Sequence, residues 1–485
     1  MLSRISSIRR HSNLSNSVAN ILSKNGVTFK DSDFVQDFSE PLITHLRKRE
    51  LIETCVKEEE LIKEAQEKQM GLYCGADPTA KSLHLGNLLP LMVLLHFNLR
   101  GHNIFPLIGG ATGSVGDPSG RSTERDAMKD TTRLDHINRI SNQFLNFFKK
   151  AVEYGKTRNP EISNLTIGKQ TLVNNFDWWK DMNMLSFLAI YGKHIRVNQM
   201  LSRESIKARL ASDAGIGFNE FTYQILQAYD FFYLNKKGVD IQVGGNDQYG
   251  NIVAGIDLIT RTRKANNVQG PNAYGITVPL LTTSNGVKFG KSAGNAIFID
   301  NELTPSYQIY QFMYNTTDSD VKKFLYKFSL LPLPLIDRIV DIHDADRKQR
   351  LGQTLLAIEM CDLIHGDGEG WSNYIISEVL FSKKNISENF KAEEVIDAFK
   401  KQNMVTSLSK VELTSLSAVN LLSKVSNGKS KSELRRLIKS GSVSVGNSKS
   451  DKIIDSEASI DLKHIIEGKL LLIRVGKQYY IIEII

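Results

Sequence analysis

Met70-Gly71-Leu72-Tyr73-Cys74-Gly75-Ala76-Asp77-Pro78-Thr79, followed by His84-Leu85-Gly86-Asn87 and the apolar run Leu88 to Leu99, is the stretch that decides the fold. Met70 to Cys74 reads as a short buried strand, Pro78 and Gly86 bound a loop, and Leu88 to Leu99 is apolar enough for a helix packed on a sheet. Strand, loop and helix in that order make the first βα unit of a Rossmann-like fold, with the ligand at the strand's C-terminal edge. The glycine of His-x-Gly-Asn lets a nucleotide lie close to the backbone, while an imidazole and an amide at a helix start can donate to phosphate.

A second segment completes that reading. Lys288-Phe289-Gly290-Lys291-Ser292 puts two lysines and a hydroxyl on a glycine-softened loop. Such a loop can close over a triphosphate and follow its charge as pyrophosphate leaves. Either segment alone reads as well as a plain helix start or a solvated basic turn; together they make a two-part nucleotide site. Gly113 to Ser122 lacks the G-x-x-x-x-G-K spacing, which excludes a P-loop ATPase.

The intervening blocks are Gly109-Gly110-Ala111-Thr112-Gly113, Gly116-Asp117-Pro118-Ser119-Gly120, Gln227-Ala228-Tyr229-Asp230 and Gly244-Gly245-Asn246-Asp247-Gln248. With Leu72 to Thr79, these blocks in this order resemble the class I aminoacyl-tRNA synthetases, and most closely their tyrosyl-tRNA synthetase branch. The resemblance runs from about Leu72 to the C-terminus and weakens around 370 to 410. Two positions depart from the family pattern. Asn87 stands where many relatives have a second histidine, and its amide can still donate to phosphate or ribose. Pro90 stands where many have a threonine, so it offers no side-chain contact to ribose.

The resemblance implies roles residue by residue. Tyr73 and Asp230 would hydrogen-bond the substrate's phenolic hydroxyl, Asp117, Tyr223 and Gln227 its ammonium group, and Gln248 would sit beside its carboxylate. For ATP it implies Gly75 and Asp77 near the nucleoside, Thr79, His84 and Asn87 toward the phosphates, and Asp247 at the ribose. Lys288, Lys291 and Ser292, with Arg121 and Arg125, would stabilise the leaving pyrophosphate. The implied reaction joins L-tyrosine to ATP as tyrosyl-adenylate and passes it to the 3′ end of tRNA(Tyr). Magnesium would accompany ATP, held mainly by phosphates and water, and no resident metal is expected. From the residues alone, Tyr223, Gln227 and Asp230 share one face of an apolar helix, which reads as a ligand site, with a buried polar network as the alternative.

Composition sets the frame. A chain of 485 residues, 41% hydrophobic, can bury a large core and divide into two or three domains. The net charge of +8 favours a polyanionic partner such as RNA. Cys55, Cys74 and Cys361 are scattered without metal-ligand spacing. No apolar run approaches the roughly 18 residues that span a bilayer, so no membrane partner is expected. Met1 to Arg10 carries arginines, serines and isoleucines, and no acid precedes Asp31. That is the composition of a mitochondrial transit peptide, with a basic tail touching RNA as the alternative, and it points to the mitochondrial matrix.

The expected fold is α/β, in four parts: a transit peptide over 1–30, a Rossmann-like catalytic domain over 31–300 with a helical insertion at about 130–210, a helical anticodon-side domain with linker over 301–405, and a small α+β RNA-binding domain over 406–485. Strands are expected at Asn103 to Ile108, Ile241 to Val243 and Ile276 to Leu281, and helices at Arg133 to Lys150, Trp178 to Leu210 and Pro305 to Ile364. Trp178, Trp179, Met182, Met184, Leu185, Phe187 and Leu188 would supply a homodimer surface or an internal core. Gly366 to Ser415 is polar and lysine-rich and reads as a linker with helical pieces. Ser430 to Lys439 is a basic helix carrying Arg435, Arg436 and Lys439, either on RNA or in water, closed by Gly441 and a strand and turn. A tryptophanyl-type synthetase, an RNA-binding or splicing cofactor on the same scaffold, and a small-molecule adenylyltransferase are the competing readings. An indole offers no acceptor requirement matching the Tyr73 and Asp230 pair, and an adenylyltransferase has no need of a basic RNA module.

Overall fold

The computed structural model describes residues 16–24, 31–34, 36–119, 128–211, 215–287, 289, 291–292, 295–382, 385–426, 428–446 and 451–485. Two compact units divide the chain, Met1–Asp367 and Gly368–Ile485.

The first unit is built on a six-stranded sheet of β1 Thr54–Val56, β2 Gly71–Ala76, β3 Asn103–Ile108, β4 Val173–Asn174, β5 Ile241–Gly245 and β6 Tyr274–Val278, in the order β1-β6-β5-β2-β3-β4. All neighbours are parallel except β1, which runs antiparallel to β6 along one edge. The expected helix follows β2 as α1, Leu88–Leu99, and every one of its residues is buried. A helix apolar all round must be covered on all sides, and Pro90 is tolerated because it falls in the first turn, where its missing N–H breaks no bond. Chain order reverses between β2 and β5, so the crevice outside their C-terminal ends is the topological switch point where α/β sheets bind ligands.

The insertion differs in detail from its expected form. Its first helix, α2, runs unbroken from Asp130 to Arg158, but Trp178 to Leu210 is not one helix. It divides into α3, Phe176–Trp179, and further short helices at Met184–Ile190, Val197–Leu201 and Glu204–Leu210. The strand expected at Ile276 to Leu281 begins earlier and stops at Val278, before Pro279, which cannot extend a ladder. Two long helices pack against each other beside the sheet, α4 Phe218–Asn235 and α5 Tyr249–Asn266.

The helical region from Pro305 forms as expected, ending in α6, Leu351–His365. It belongs to the same compact unit as the sheet, so a boundary at 300/301 has no counterpart in packing. One reason is a buried charge cluster: the Arg158 guanidinium at the end of α2 donates to Glu359 Oε1 at 2.8 Å, to Asp362 and to Asp367 Oδ1 at 2.7 Å. Arg158, Glu359 and Asp362 are fully excluded from solvent, which makes each dependent on the others.

The helical pieces expected within the polar stretch 366–415 lie in the second compact unit, which starts at Gly368. Helices Glu369–Phe381 and Ala392–Lys400 occupy the stretch, and β9, Val405–Leu408, pairs parallel with the last strand of a second sheet. Its lysine-rich average conceals a helical period, since Val395, Ile396 and Phe399 are buried at i, i+1 and i+4. A short pair, β7 Lys291–Ser292 and β8 Asn295–Ala296, lies in the first unit, and the second sheet runs β10 (Val443–Val445), β11 (Leu470–Val475), β12 (Gln478–Ile484) and β9. Its core includes Leu408, Leu434, Ile438, Val443 and Ile482. The basic helix is present as α7, Lys431–Lys439, capped by the Ser430 hydroxyl accepting from Glu433 N–H at 3.2 Å and ended by Gly441 at φ +67°.

Candidate active site

The polar side chains implied by the motifs converge at the switch point. Tyr73 lies on β2, Asp77 follows its end, Asp117 sits on the loop after β3, Tyr223, Gln227 and Asp230 line α4, and Asp247 and Gln248 follow β5. Tyr223 and Thr112 clasp Asp77 from two sides: the phenol donates to Oδ2 at 2.8 Å and the threonine hydroxyl to Oδ1 at 2.8 Å. Gly109 leaves room for this, because a Cβ there would stand 1.9 Å from Asp77 Oδ1. Across the crevice, Gln248 Nε2 donates to Asp117 Oδ2 at 2.8 Å, Gln227 Nε2 donates to Gln248 Oε1 at 3.2 Å, and Asn251 Nδ2 donates to both glutamine oxygens at 3.1 Å.

Asp230 forms the floor and is 2% exposed. Its Oδ1 accepts from Trp178 Nε1 at 2.8 Å and Trp179 Nε1 at 2.7 Å, and its Oδ2 accepts from Asn175 Nδ2 at 3.0 Å. Asn175 also donates to Thr112 Oγ1 at 2.9 Å, so one chain of hydrogen bonds joins Asp230 to Asp77. Burial pushes the Asp230 carboxyl up to about 7, against the pull of its three donors. Burial is also the main reason the phenols of Tyr73 and Tyr223 titrate well above the usual range, with Asp230 and Asp77 respectively adding to it. Both phenols are therefore donors at neutral pH. The Tyr73 hydroxyl is buried and has no hydrogen-bond partner among the described residues.

The nucleotide-side segments meet through their backbones. His84 Nδ1 accepts from Gly86 N–H at 3.0 Å and the His84 N–H donates to Asn87 Oδ1 at 2.9 Å, a reciprocal cap at the start of α1. Leu85 N–H donates to Ile297 O and Ile299 N–H to Leu83 O, both at 3.0 Å. The chain leaving the lysine loop thus lies against the His-Leu-Gly-Asn turn. Lys291–Ser292 forms β7, antiparallel to β8, Asn295–Ala296. Within the loop, the Phe289 ring packs 4.9 Å from Phe312 and 4.2 Å from Phe324. Arg121, Arg125 and Lys288 lie outside the described residues, as do the side chains of Lys291 and Ser292. Gly75 sits on β2, the Thr79 N–H donates to the carbonyl of Asp77, and Asp247 accepts from Gln248.

Four residues of this network escaped the motifs: Asn175, Trp178, Trp179 and Asn251. The two tryptophans stand in the apolar cluster read above as a dimer surface or core, and that cluster divides. Trp178 stacks on Tyr233 at 4.6 Å and Phe187 packs edge-on to Tyr229 at 5.5 Å, whereas Met184 and Leu185 are exposed at 63% and 78%. The available signal was the indole N–H, a donor that a buried tryptophan must place somewhere. A separate cavity, lined by His194, Met200, Arg203, Gln224, Asp257 and Leu258, contains none of the residues of this network. In the second unit, Arg435, Arg436 and Lys439 are exposed on α7, opposite buried Leu434 and Ile438, and Arg435 Nε is paired with Glu457 Oε1 at 3.2 Å.

A parallel sheet with polar groups converging at its switch point, beside two loops joined to each other, defines a Rossmann-type nucleotide-dependent enzyme. The chain belongs to the class I tRNA synthetases (W and Y), whose family model matches residues 65–370. It is similar to the mitochondrial tyrosine-tRNA ligase of Saccharomyces cerevisiae, 49% identical over 85% of this chain and 82% of that one. It is also similar to tyrosine-tRNA ligase 2 of Bacillus cereus, 37% identical over 90% of this chain and 98% of the relative. Among solved structures, it resembles a C-terminally truncated mitochondrial tyrosyl-tRNA synthetase of Aspergillus nidulans, with TM-score 0.65 and 33% identity over 75% of this chain and 98% of that one.

Proposed function

We propose that this chain is a tyrosine-tRNA ligase of the mitochondrial matrix, forming tyrosyl-adenylate from L-tyrosine and ATP and then charging tRNA(Tyr). The observation that carries the choice of amino acid is the pair at the floor of the site, the unpartnered Tyr73 hydroxyl and the Asp230 carboxylate. A phenol needs both, as acceptor and donor, whereas the indole of tryptophan offers a donor alone. Phenylalanine would leave the Tyr73 hydroxyl unpaired and an acceptor position of Asp230 unfilled, an argument for which tyrosyl enzymes are the usual illustration.

In this reading Asp117, Tyr223 and Gln227 receive the substrate ammonium and Gln248 lies beside its carboxylate. The groups now bonded to one another, Asp117, Gln227 and Gln248, would exchange those bonds for bonds to substrate. The carboxylate attacks the α-phosphorus of ATP, pyrophosphate departs, and no general base is required because the nucleophile is already ionised. The protein's part is positioning and charge stabilisation. Gly75, Asp77, Thr79, His84, Asn87 and Asp247 would hold ATP, and Lys288, Lys291, Ser292, Arg121 and Arg125 the leaving pyrophosphate. Magnesium would accompany ATP, held mainly by phosphates and water. ATP-pyrophosphate exchange measured with each amino acid separately tests this reading: exchange is expected with tyrosine alone, and exchange driven by tryptophan would overturn it.

Three further parts belong to the same proposal. Exposed Met184, Leu185, Leu188, Ile190 and Phe218 in and beside the insertion would be covered in a homodimer. The helical region and the second unit, with Arg435, Arg436 and Lys439, would face tRNA phosphates; among the described residues no helix is long and apolar enough to cross a membrane. The arginines before Asp31, unaccompanied by acids, would direct import. Residues 1–15 and 25–30 of that segment lie outside the described residues. Fused to a passive reporter, residues 1–30 are expected to carry it into mitochondria in cell fractionation; a reporter left in the cytosol removes the transit peptide from the proposal.

A further inference from the structure

A carboxylate has about four lone-pair positions, two on each oxygen. In Asp230 both positions on Oδ1 are taken by indole N–H groups, at 2.8 Å from Trp178 and 2.7 Å from Trp179, and one on Oδ2 by Asn175 at 3.0 Å. Among the described residues, a single acceptor position is left. The donors are not adaptable: Trp178 lies stacked on Tyr233 at 4.6 Å and 18°, while Trp179 is wedged against Tyr229 at 4.9 Å and Phe187 at 5.4 Å. Rings packed this way have little freedom to swing their N–H elsewhere, so the donors are set before substrate arrives. One indole and the Asn175 amide would be enough to hold the side chain in place. The second indole does something else, in closing the last position on Oδ1.

We propose that Trp179 is a specificity-determining positioning residue: its indole N–H completes the occupation of Asp230 Oδ1 and so reserves the one remaining acceptor position, on Oδ2, for the phenol of tyrosine. The inference rests on the assignment of Asp230 to the phenol and adds the residue that restricts how Asp230 can accept. Without the Trp179 N–H, Asp230 has a second open position that water can fill, and phenylalanine, which brings no donor, is then rejected less severely. The lost bond had also favoured the ionised carboxylate, so the carboxyl ionises at higher pH.

The test is Trp179→Phe in the full chain, together with replacement of Trp179 by its benzothienyl analogue, which keeps the ring shape and lacks the N–H. Both should raise KM for tyrosine about tenfold, the worth of one hydrogen bond to a charged acceptor, and leave KM for ATP unchanged. The ratio of kcat/KM for tyrosine over phenylalanine should fall by a similar factor. The acid limb of the tyrosine kcat/KM profile should move to higher pH, a change that loss of packing alone would not produce. If the benzothienyl protein keeps wild-type tyrosine KM and acid limb, the proposal is overturned; equal damage to tyrosine and ATP use in both variants also overturns it, leaving Trp179 a purely structural residue. Asp230→Ala, measured alongside, separates the two levels. If it too leaves tyrosine KM unaltered, the phenol assignment itself fails; if it raises that KM while the Trp179 variants do not, only the role of Trp179 fails.

Discussion

Asp230→Ala will lower tyrosine-dependent adenylate formation by about a hundredfold or more, with KM for tyrosine rising and KM for ATP little changed. The size follows from what is removed. The substrate phenol loses its buried acceptor, in a site 2% exposed, at a cost of about 3 kcal/mol. ATP use is spared because the chain of bonds from Asp230 reaches Asp77 only through Asn175 and Thr112, and Asp77 keeps its two donors, Thr112 and Tyr223, after the change. The same substitution leaves Trp178, Trp179 and Asn175 with buried donors unanswered, so the thermal midpoint should drop as well. Single-turnover adenylation at saturating tyrosine separates the two effects: a folded variant that recovers rate at high tyrosine fits the assignment. Comparable loss of affinity for tyrosine and ATP would put Asp230 outside the phenol's reach.

What the sequence made legible here is whatever the backbone demands. The β2 strand, the Gly86 turn and the wholly buried α1 could be read from Met70 to Leu99 because a tight turn and an apolar run each admit few conformations. Tyr223, Gln227 and Asp230 were legible as one helix face, and the structure turns that face into the crevice. Asn175, Trp178 and Trp179 were not legible in that way. They act through side-chain hydrogen bonds to a residue more than fifty positions away, a separation that local spacing does not encode. The tryptophans were also grouped with Met182, Met184, Leu185, Phe187 and Leu188 as apolar surface, a reading that passes over their one polar atom. Between 366 and 415 helical pieces were legible but their packing was not, because Glu393, Asp397 and Lys400 mark only the outer face of a helix whose Val395, Ile396 and Phe399 are buried.

That second case relocates the most informative truncation. A cut near residue 405 would remove the basic helix, but it would also strip β9 from the sheet in which it pairs with β12, leaving Ala392–Lys400 with part of its apolar face uncovered. The cut that respects the packing falls after Asp367, between the two compact units, and it must retain Asp367, whose carboxylate accepts from the buried guanidinium of Arg158 at 2.7 Å. The shortened chain should fold, since both the sheet and the helical region lie within it. Tyrosyl-adenylate formation should persist near the full-length rate, because the loops proposed for ATP and the pocket proposed for tyrosine precede the cut. Charging of tRNA should fall by about two orders of magnitude or more at physiological salt, since phosphate contacts supply most of the affinity and each one lost also flattens the salt dependence by about one unit of slope. Restoring Gly368–Ile485 with Arg436 and Lys439 changed to glutamine should recover folding of the second unit without recovering the full slope. Normal charging by the protein cut after Asp367 would assign tRNA recognition to the first unit alone and leave α7 a solvated face.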